Sequence, residues 1–97
     1  MTNELVTATL ARHTFHYYPM PTVFRTGPYR FFFYAGDRDE PYHIHVERDA
    51  DIAKFWLDPV ILQSSGGFSR TEINRIQKLV EEHSETLLES WNEFFNG

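Results

Sequence analysis

The sequence predicts an α+β domain: a small antiparallel sheet of three to five strands, followed by one long C-terminal helix packed on one face of the sheet. Three observations predict this fold. Short segments rich in threonine, β-branched and aromatic residues fill most of the chain, clusters of turn residues separate them, and apolar residues recur with helical spacing toward the end. Strands that precede a helix, instead of alternating with helices, favour a helix on one face of an antiparallel sheet.

The chain of 97 residues is predicted to form a single α+β domain over residues 20–97, preceded by an extension over residues 1–19. Two stretches of the extension, 7–10 and 14–18, have the threonine and aromatic content of short strands. The same stretches are compatible with a flexible arm, because chain termini are often poorly ordered. We therefore expect residues 1–19 to be either an added strand or an arm.

Two strands are predicted at the start of the domain. Residues 21–25 form a short strand with Pro21 at its first position, where a missing N–H group is tolerated. Residues 29–34 follow a Thr-Gly-Pro turn and carry aromatic side chains on both faces, which is typical of a strand covered on both sides. Arg30 interrupts this pattern, so it is predicted to be an edge residue or the cation of a binding site.

The next segments predict a hairpin, because only residues 49–51 separate a strand at 42–48 from a strand at 52–57. Successive side chains of a strand point to opposite faces. The face toward the core then carries the apolar side chains of Ile44, Val46, Phe55 and Leu57. The opposite face carries His43, His45, Glu47, Lys54 and Trp56. Residues 59–62 are predicted to add a short edge strand.

The end of the chain predicts one helix over residues 70–96. Ser69 and Glu72 have the spacing of a capping box, and Phe68 and Ile73 have the spacing of a hydrophobic staple. Apolar residues then recur at intervals of three and four. Such a helix would be about 40 Å long, which is longer than a strand of five or six residues, so that part of it would overhang the sheet.

The composition argues against several classes of protein. The net charge of −5 disfavours a general nucleic-acid binder, because such proteins usually have a basic surface. The absence of cysteine excludes disulfides and thiolate metal sites. No apolar run approaches the roughly 18 residues of a membrane span, and the start of the chain lacks the pattern of a secretion signal. We therefore expect a cytoplasmic protein that contacts no membrane.

His43 and His45 are the candidate catalytic residues, and three hypotheses remain open for them. They are a structural pair, an acid–base pair acting on RNA or another phosphodiester, or ligands of a metal ion. In the second hypothesis, Arg30 and Lys54 stabilise the charge of the transition state. In the third, Glu47 is the additional ligand, but three residues of one straight strand are nearly collinear and suit tetrahedral coordination poorly. No metal site and no cofactor is therefore predicted.

Other candidate binding residues lie beside the histidines and on the helix. Lys54 and Trp56 suit a platform for a phosphate and a base, although a Trp56 that completes a second small core, with Lys54 exposed, is the favoured interpretation. His83 lies in the apolar stripe of the helix and is predicted to face the core or an interface. The helix also carries many carboxylates, which predict either a solvated face or an acidic docking surface for a basic partner. These are Glu81, Glu82, Glu85, Glu89 and Glu93.

Several motifs, taken in order, carry a family resemblance. They are MPTVFR at 20–25, YRFFFY at 29–34, EPYHIHV at 40–46, AKFWL at 53–57, FS at 68–69 and the region of Trp91. Over residues 20–97 the chain resembles the bacterial domain-of-unknown-function family 4160. The resemblance implies a small prokaryotic cytoplasmic protein, encoded beside a second small gene in an arrangement similar to toxin–antitoxin pairs. It implies no established reaction and no established catalytic residues.

The sequence leads to one main expectation about function and two alternatives. We expect a protein-binding component of a toxin–antitoxin-like two-gene module, with a small protein partner and with self-association through the C-terminal helix. The first alternative is a metal-independent, ribonuclease-like enzyme that uses His43 and His45. The second is a metal-binding protein that uses the same His-x-His strand. Whether the protein is an enzyme stays open, and its charge disfavours a nucleic-acid partner.

Overall fold

The α+β class is confirmed by a computed structural model, which describes residues 22–96. Five strands form one antiparallel sheet in which neighbours along the chain are neighbours in the sheet. They are β1 (Thr22–Thr26), β2 (Tyr29–Phe32), β3 (His43–Arg48), β4 (Asp51–Leu57) and β5 (Val60–Ser64). Two helices follow, α1 (Arg70–Glu82) and α2 (Ser84–Asn96). The predictions for residues 1–19 and for Pro21 lie outside the described residues.

The prediction of one long C-terminal helix is wrong, because the helix breaks at His83. This residue ends α1 with a ψ angle of 12°, and its ring Nδ1 lies 2.8 Å from the carbonyl oxygen of Leu79. An unbroken helix of about 40 Å would overhang the short strands. The break lets both helices keep their apolar residues against β4. No helix among residues 22–96 has the length and apolar content to cross a membrane.

The main core lies between one face of the sheet and the two helices. The four residues predicted for the inner face of the β3–β4 hairpin are all buried, which confirms the predicted alternation. The helices contribute the buried side chains of Ile73, Ile76, Val80, Leu87, Trp91 and Phe95. Burial of each large apolar side chain contributes about 1.5–3 kcal/mol to folding. The capping box predicted at Ser69 is present in part, because the Ser69 hydroxyl accepts a hydrogen bond from the Glu72 N–H at 3.1 Å.

The opposite face of the sheet is also covered, over β2 and β3. After β2, the chain forms a 3₁₀ turn at Ala35–Asp39 and lies across this face. Phe32 is therefore fully buried, although it points away from the main core. Its ring stacks on His45 at 5.3 Å between centroids and meets the edge of Tyr34 at 5.1 Å. The expectation that β2 is covered on both sides is thus confirmed.

Two of the three glycines with positive φ among residues 22–96 offer a matched test of a close backbone approach. Gly66 has φ +59° and Gly27 has φ +55°. A Cβ atom at Gly66 would lie 1.7 Å from the carbonyl oxygen of Ile52, whereas a Cβ at Gly27 would meet nothing within 4 Å.

We expect Gly27→Ala to lower the free energy of unfolding by about 1–2 kcal/mol, which is the cost of left-handed backbone for a residue with a Cβ. Gly66→Ala should lower it by at least about 3 kcal/mol, because the clash with β4 adds to the same backbone cost. Urea denaturation of both variants measures the difference. Equal losses in the two variants would show that the clash between a Cβ at position 66 and Ile52 does not add to the loss of stability.

Candidate functional site

Strand β3 places the two histidines side by side on the face opposite the helices. Their ring centroids are 5.0 Å apart and the rings are nearly perpendicular. His43 is 0% exposed and His45 is 8% exposed. Aromatic residues surround them: His43 packs between Trp56 of β4 and Trp91 of α2, at 5.8 and 5.0 Å. The histidines therefore lie in a nearly closed, largely aromatic environment.

A third group, Asp37, completes the cluster, and it comes from the 3₁₀ turn instead of from β3. One oxygen of its carboxylate, Oδ2, lies 2.9 Å from Nε2 of His43 and 3.1 Å from Nε2 of His45. The turn itself holds the carboxylate in place. The Tyr34 N–H donates to Oδ2 at 2.9 Å, and the Asp37 N–H donates to the Tyr34 carbonyl at 3.1 Å.

The ring of His43 has one satisfied nitrogen and one without a partner. Nδ1 lies 2.9 Å from the Pro41 carbonyl oxygen, which can only accept, so Nδ1 carries the proton and donates it. In a neutral imidazole the other nitrogen, Nε2, then carries a lone pair. Although Nε2 is 2.9 Å from Asp37 Oδ2, the contact is not aligned as a hydrogen bond, so this buried nitrogen has no hydrogen-bond partner.

His45 is held closer to its neutral form. Burial lowers the pKa of His45 below its ordinary value, and the nearby Asp37 carboxylate only partly opposes this effect. Burial acts in this direction because it disfavours the charged imidazolium. The hydrogen bond from Nε2 of His45 to Asp37 Oδ2 then uses the single ring proton. A shift of that proton to Nδ1 would leave both Nε2 atoms as acceptors around one carboxylate.

The three side chains are arranged so that they could hold a metal ion. Their donor atoms all lie within 4.8 Å of one another. Two ligands on a tetrahedral ion with bonds of about 2.1 Å are roughly 3.4 Å apart, which is close to the nitrogen–oxygen distances in the cluster. Because Asp37 approaches from a different segment than β3, the three donors are not collinear. The geometric objection to a metal site built from β3 alone therefore does not apply.

Glu47 and Arg30 lie on the same face of the sheet but not in the cluster. They pair with each other, with 2.8 Å between Arg30 Nε and Glu47 Oε1. Arg30 also donates to the Thr22 hydroxyl at 3.1 Å and stacks over the ring of Phe32. In the antiparallel β2–β3 pair, Arg30 lies opposite Glu47 and Phe32 lies opposite His45, so the Arg30–Glu47 pair is two residue positions away from His45. Glu47, which the metal hypothesis considered as an additional ligand, is thus paired with Arg30.

Lys54 and Trp56 lie beside the cluster, together with Glu40. Like Asp37, Glu40 was not among the predicted site residues. Lys54 Nζ is 2.6 Å from Glu40 Oε1 and 4.8 Å from the centre of the Trp56 ring. The hydrogen bond from Lys54 lowers the pKa of the Glu40 carboxyl. The polar loop 35–41 contains three carboxylates, Asp37, Asp39 and Glu40, and no periodicity in the sequence distinguishes the one that reaches the histidines.

The burial of the histidines bears on the acid–base hypothesis. A general acid or base must reach its substrate directly or through one water. His43 is fully buried and His45 is only 8% exposed, so a phosphodiester of RNA has little access to the two rings. Lys54 is already paired with Glu40 and Arg30 with Glu47. The arrangement therefore favours binding of a small cation within the cluster over chemistry on a large substrate.

These features define a small α+β domain: an antiparallel five-stranded sheet with two helices on one face and a buried His–His–Asp cluster on the other. A sequence model of the family described as "Domain of unknown function (DUF4160)" matches residues 29–92. The chain therefore belongs to the DUF4160 family, as the resemblance indicated. The matched residues include Asp37, His43 and His45. No curated protein and no solved structure matches the chain.

Phe32 tests whether the covered second face contributes to stability. Phe32→Ala should lower the free energy of unfolding by about 3–5 kcal/mol, because it leaves a cavity beneath His45 and Tyr34. The control is Phe94→Ala, because Phe94 is 37% exposed and should cost less than about 1 kcal/mol. Urea denaturation of the two variants compares them. A cost for Phe32→Ala no larger than that of the control would show that the second face adds no packing energy.

Proposed function

We propose that the protein is a metal-binding domain in which Asp37, His43 and His45 hold a divalent transition-metal ion of the zinc class. One observation carries the proposal: Nε2 of His43 is fully buried, has no hydrogen-bond partner and faces a carboxylate oxygen shared with His45. A buried polar atom left unsatisfied costs about 1–3 kcal/mol. A cation bound between these atoms removes that cost.

The electrostatics of the cluster favour a cation. The lone pair of His43 Nε2 and the Asp37 carboxylate are both electron-rich, and they lie 2.9 Å apart. A proton on Nε2 would not point along the line to Oδ2, because the contact lacks hydrogen-bond alignment. A metal ion is less restricted, since it binds lone pairs that converge on one point from different directions. The carboxylate supplies the negative charge that balances such an ion.

The groups behind the ligands also fit a metal site. Histidines that bind metal ions usually donate their other ring N–H to a carbonyl or carboxylate, which fixes the tautomer and the ring. His43 does so through Nδ1 to the Pro41 carbonyl. The Tyr34 N–H holds Asp37 in a similar way. Both ligands are thus oriented by backbone groups of the same loop.

The ligand types and their burial indicate the class of ion and its role. Two imidazoles and one carboxylate suit zinc and neighbouring first-row ions, whereas calcium and magnesium prefer oxygen ligands. The side chains of His43, His45 and Asp37 are 0%, 10% and 13% exposed. The ion would therefore be mostly enclosed, and it would join the loop at 35–41 to β3. The enclosure favours a structural role, in which a water molecule would fill the fourth position that the three protein ligands leave.

Zinc titration of the metal-free protein tests the proposal by calorimetry. We expect one Zn²⁺ per chain, with an affinity at least about tenfold weaker in Asp37→Asn and in His43→Ala, because each removes a ligand. At a free Zn²⁺ concentration of 100 times the dissociation constant, the free energy of unfolding should rise by about 2.7 kcal/mol. Thermal unfolding measures this second effect.

The 35–41 loop, strand β3 and the helix break at His83 supply controls for the titration. Asp39→Asn makes the same chemical change two residues from Asp37, on an exposed side chain. Glu47→Gln changes the carboxylate that pairs with Arg30. His83→Ala removes a histidine far along the chain that bonds to the Leu79 carbonyl. All three should bind Zn²⁺ as the parent does. Parent affinity in both Asp37→Asn and His43→Ala would overturn the proposal.

A second candidate function is the binding of a small protein partner in a prokaryotic cytoplasm, as part of a two-gene, toxin–antitoxin-like module. The observation that favours it is the charge of α2, which contains three glutamates and no lysine or arginine. All three, Glu85, Glu89 and Glu93, are exposed, as are Glu81 and Glu82 at the end of α1. Such a surface suits a basic partner through complementary charge.

Co-expression with the protein encoded by the adjacent small gene tests this second candidate. We expect the two proteins to co-purify and Glu89→Lys to weaken the complex at least about fivefold, because it introduces repulsion toward a basic surface. Asp39→Lys makes the same charge change on an exposed residue outside α1 and α2, and it should leave the affinity unchanged. Biosensor titration compares the variants. Equal weakening by both would exclude α2 as the contact surface, and absence of a complex would exclude this partner.

A further inference from the structure

We infer that the β5 edge of the sheet is a contact surface for a second copy of this chain, with the two β5 strands paired antiparallel across a two-fold axis. The inference does not rest on the proposed ion site, although Trp56 and Pro41, which contact His43, also border the surface beside β5. It also places self-association at the sheet edge instead of at the C-terminal helix, where the sequence predicts it. Three features of the described residues carry the inference.

The first feature is an edge without the usual protection. Within the sheet of residues 22–96, β5 is an end strand and pairs only with β4. Exposed edge strands are commonly protected by charged side chains, which prevent pairing with other chains. Residues 59–69, which include all of β5, contain no charged residue. The only protective features are Pro59 just before the strand and an irregular register near Gln63, which leave Val60–Leu62 regular.

The second feature is an apolar patch around this edge. Three of the four large apolar side chains exposed among the described residues are Tyr42, Ile61 and Leu62, at 39%, 51% and 37%. Ile61 pairs with Trp56 across the strands, and the two border a shallow pocket of about 230 Å³. Ile61 borders this pocket, whereas its neighbour Leu62 points to the opposite face of β5, so that exposed apolar side chains flank the edge on both faces. Exposed apolar surface often marks interaction sites in soluble proteins. The pocket is also lined by Pro41, Tyr42, Asp58 and Pro59.

The third feature is the distribution of charge, which favours a second copy as the occupant. Two copies with a net charge of −5 each repel wherever acidic surfaces meet. The glutamates of the helices exclude that surface from a symmetric contact. The β5 segment itself carries no charge, so that pairing two copies of it brings no like charges together, and the one carboxylate in the pocket, Asp58, precedes the strand. An antiparallel pair of identical strands is also self-complementary, as a two-fold contact requires.

The pairing would bring Ile61 opposite, or next to, its counterpart in the second copy. The two isoleucines and the two neighbouring tryptophans would then form one apolar strip across the joined sheets. Regular pairing is short, because the register is irregular near Gln63. The contact is therefore small and should give a weak dimer, with a dissociation constant on the order of tens of micromolar.

Sedimentation equilibrium of the full chain tests the inference, with Zn²⁺ and with a chelator. We expect a monomer–dimer equilibrium in both conditions, and at least a tenfold weaker dimer for Ile61→Lys. Phe94→Lys is the matched control, because Phe94 is also a large exposed side chain, 37% exposed, but lies on α2. It should dimerise as the parent does. Circular dichroism and urea denaturation confirm that both variants are folded.

Cross-linking gives a second, independent measurement, because the chain has no cysteine. Residues directly opposite in an antiparallel pair have Cα atoms about 4.5–5.5 Å apart, which is within the range of a disulfide. On mild oxidation Ile61→Cys should form a disulfide-linked dimer, and Phe94→Cys should not.

A parent that stays monomeric at hundreds of micromolar, an unchanged dimer in Ile61→Lys, or loss of the dimer only in Phe94→Lys would overturn the inference. Zn²⁺ binding is measured separately by calorimetry, so failure of the dimer is distinguishable from failure of the ion site.

Discussion

The second face of the sheet depends on one carboxylate oxygen, Oδ2 of Asp37, which lies within 3.1 Å of the Nε2 atoms of both His43 and His45. These contacts attach the 3₁₀ turn to β3, and the attached 3₁₀ turn covers Phe32. Without them, two histidines and a phenylalanine would face solvent on the side away from the helices. A polar contact therefore determines how an apolar surface is buried. This contact is incomplete, because Nε2 of His43 is buried without a hydrogen-bond partner.

The same cluster is the reason for proposing metal binding instead of catalysis on a large substrate. Catalysis on a large substrate requires an open site, whereas a metal ion requires converging lone pairs and a balanced charge. The enclosed rings, the oriented Nδ1 of His43 and the carboxylate of Asp37 meet the second set of requirements. The surfaces available to macromolecules lie elsewhere, on the acidic helices and at the uncharged β5 edge. The proposed ion site and the proposed protein contacts thus centre on different parts of a small domain.

The break at His83 shows how a short sheet constrains the helices packed on it. Apolar residues continue without interruption from α1 into α2, so the sequence pattern alone favours one rod. A rod of about 40 Å would leave its second half unsupported, which would expose Leu87, Trp91 and Phe95. Bending at His83 returns these residues to the sheet, where Trp91 also closes one side of the histidine cluster. The break is therefore connected to the site as well as to the core.

The sequence by itself determined the fold class, the inner face of the β3–β4 hairpin, the Ser69 cap and the side-by-side placement of His43 and His45. Each follows from local periodicity or from a short capping pattern, which neighbouring residues specify. The tertiary structure decided the identity of the third group, the pairing of Arg30 with Glu47 and of Lys54 with Glu40, and the helix break. These depend on the path of a loop and on the length of the sheet, and an aperiodic loop with three carboxylates carries no local signal of which one reaches the histidines.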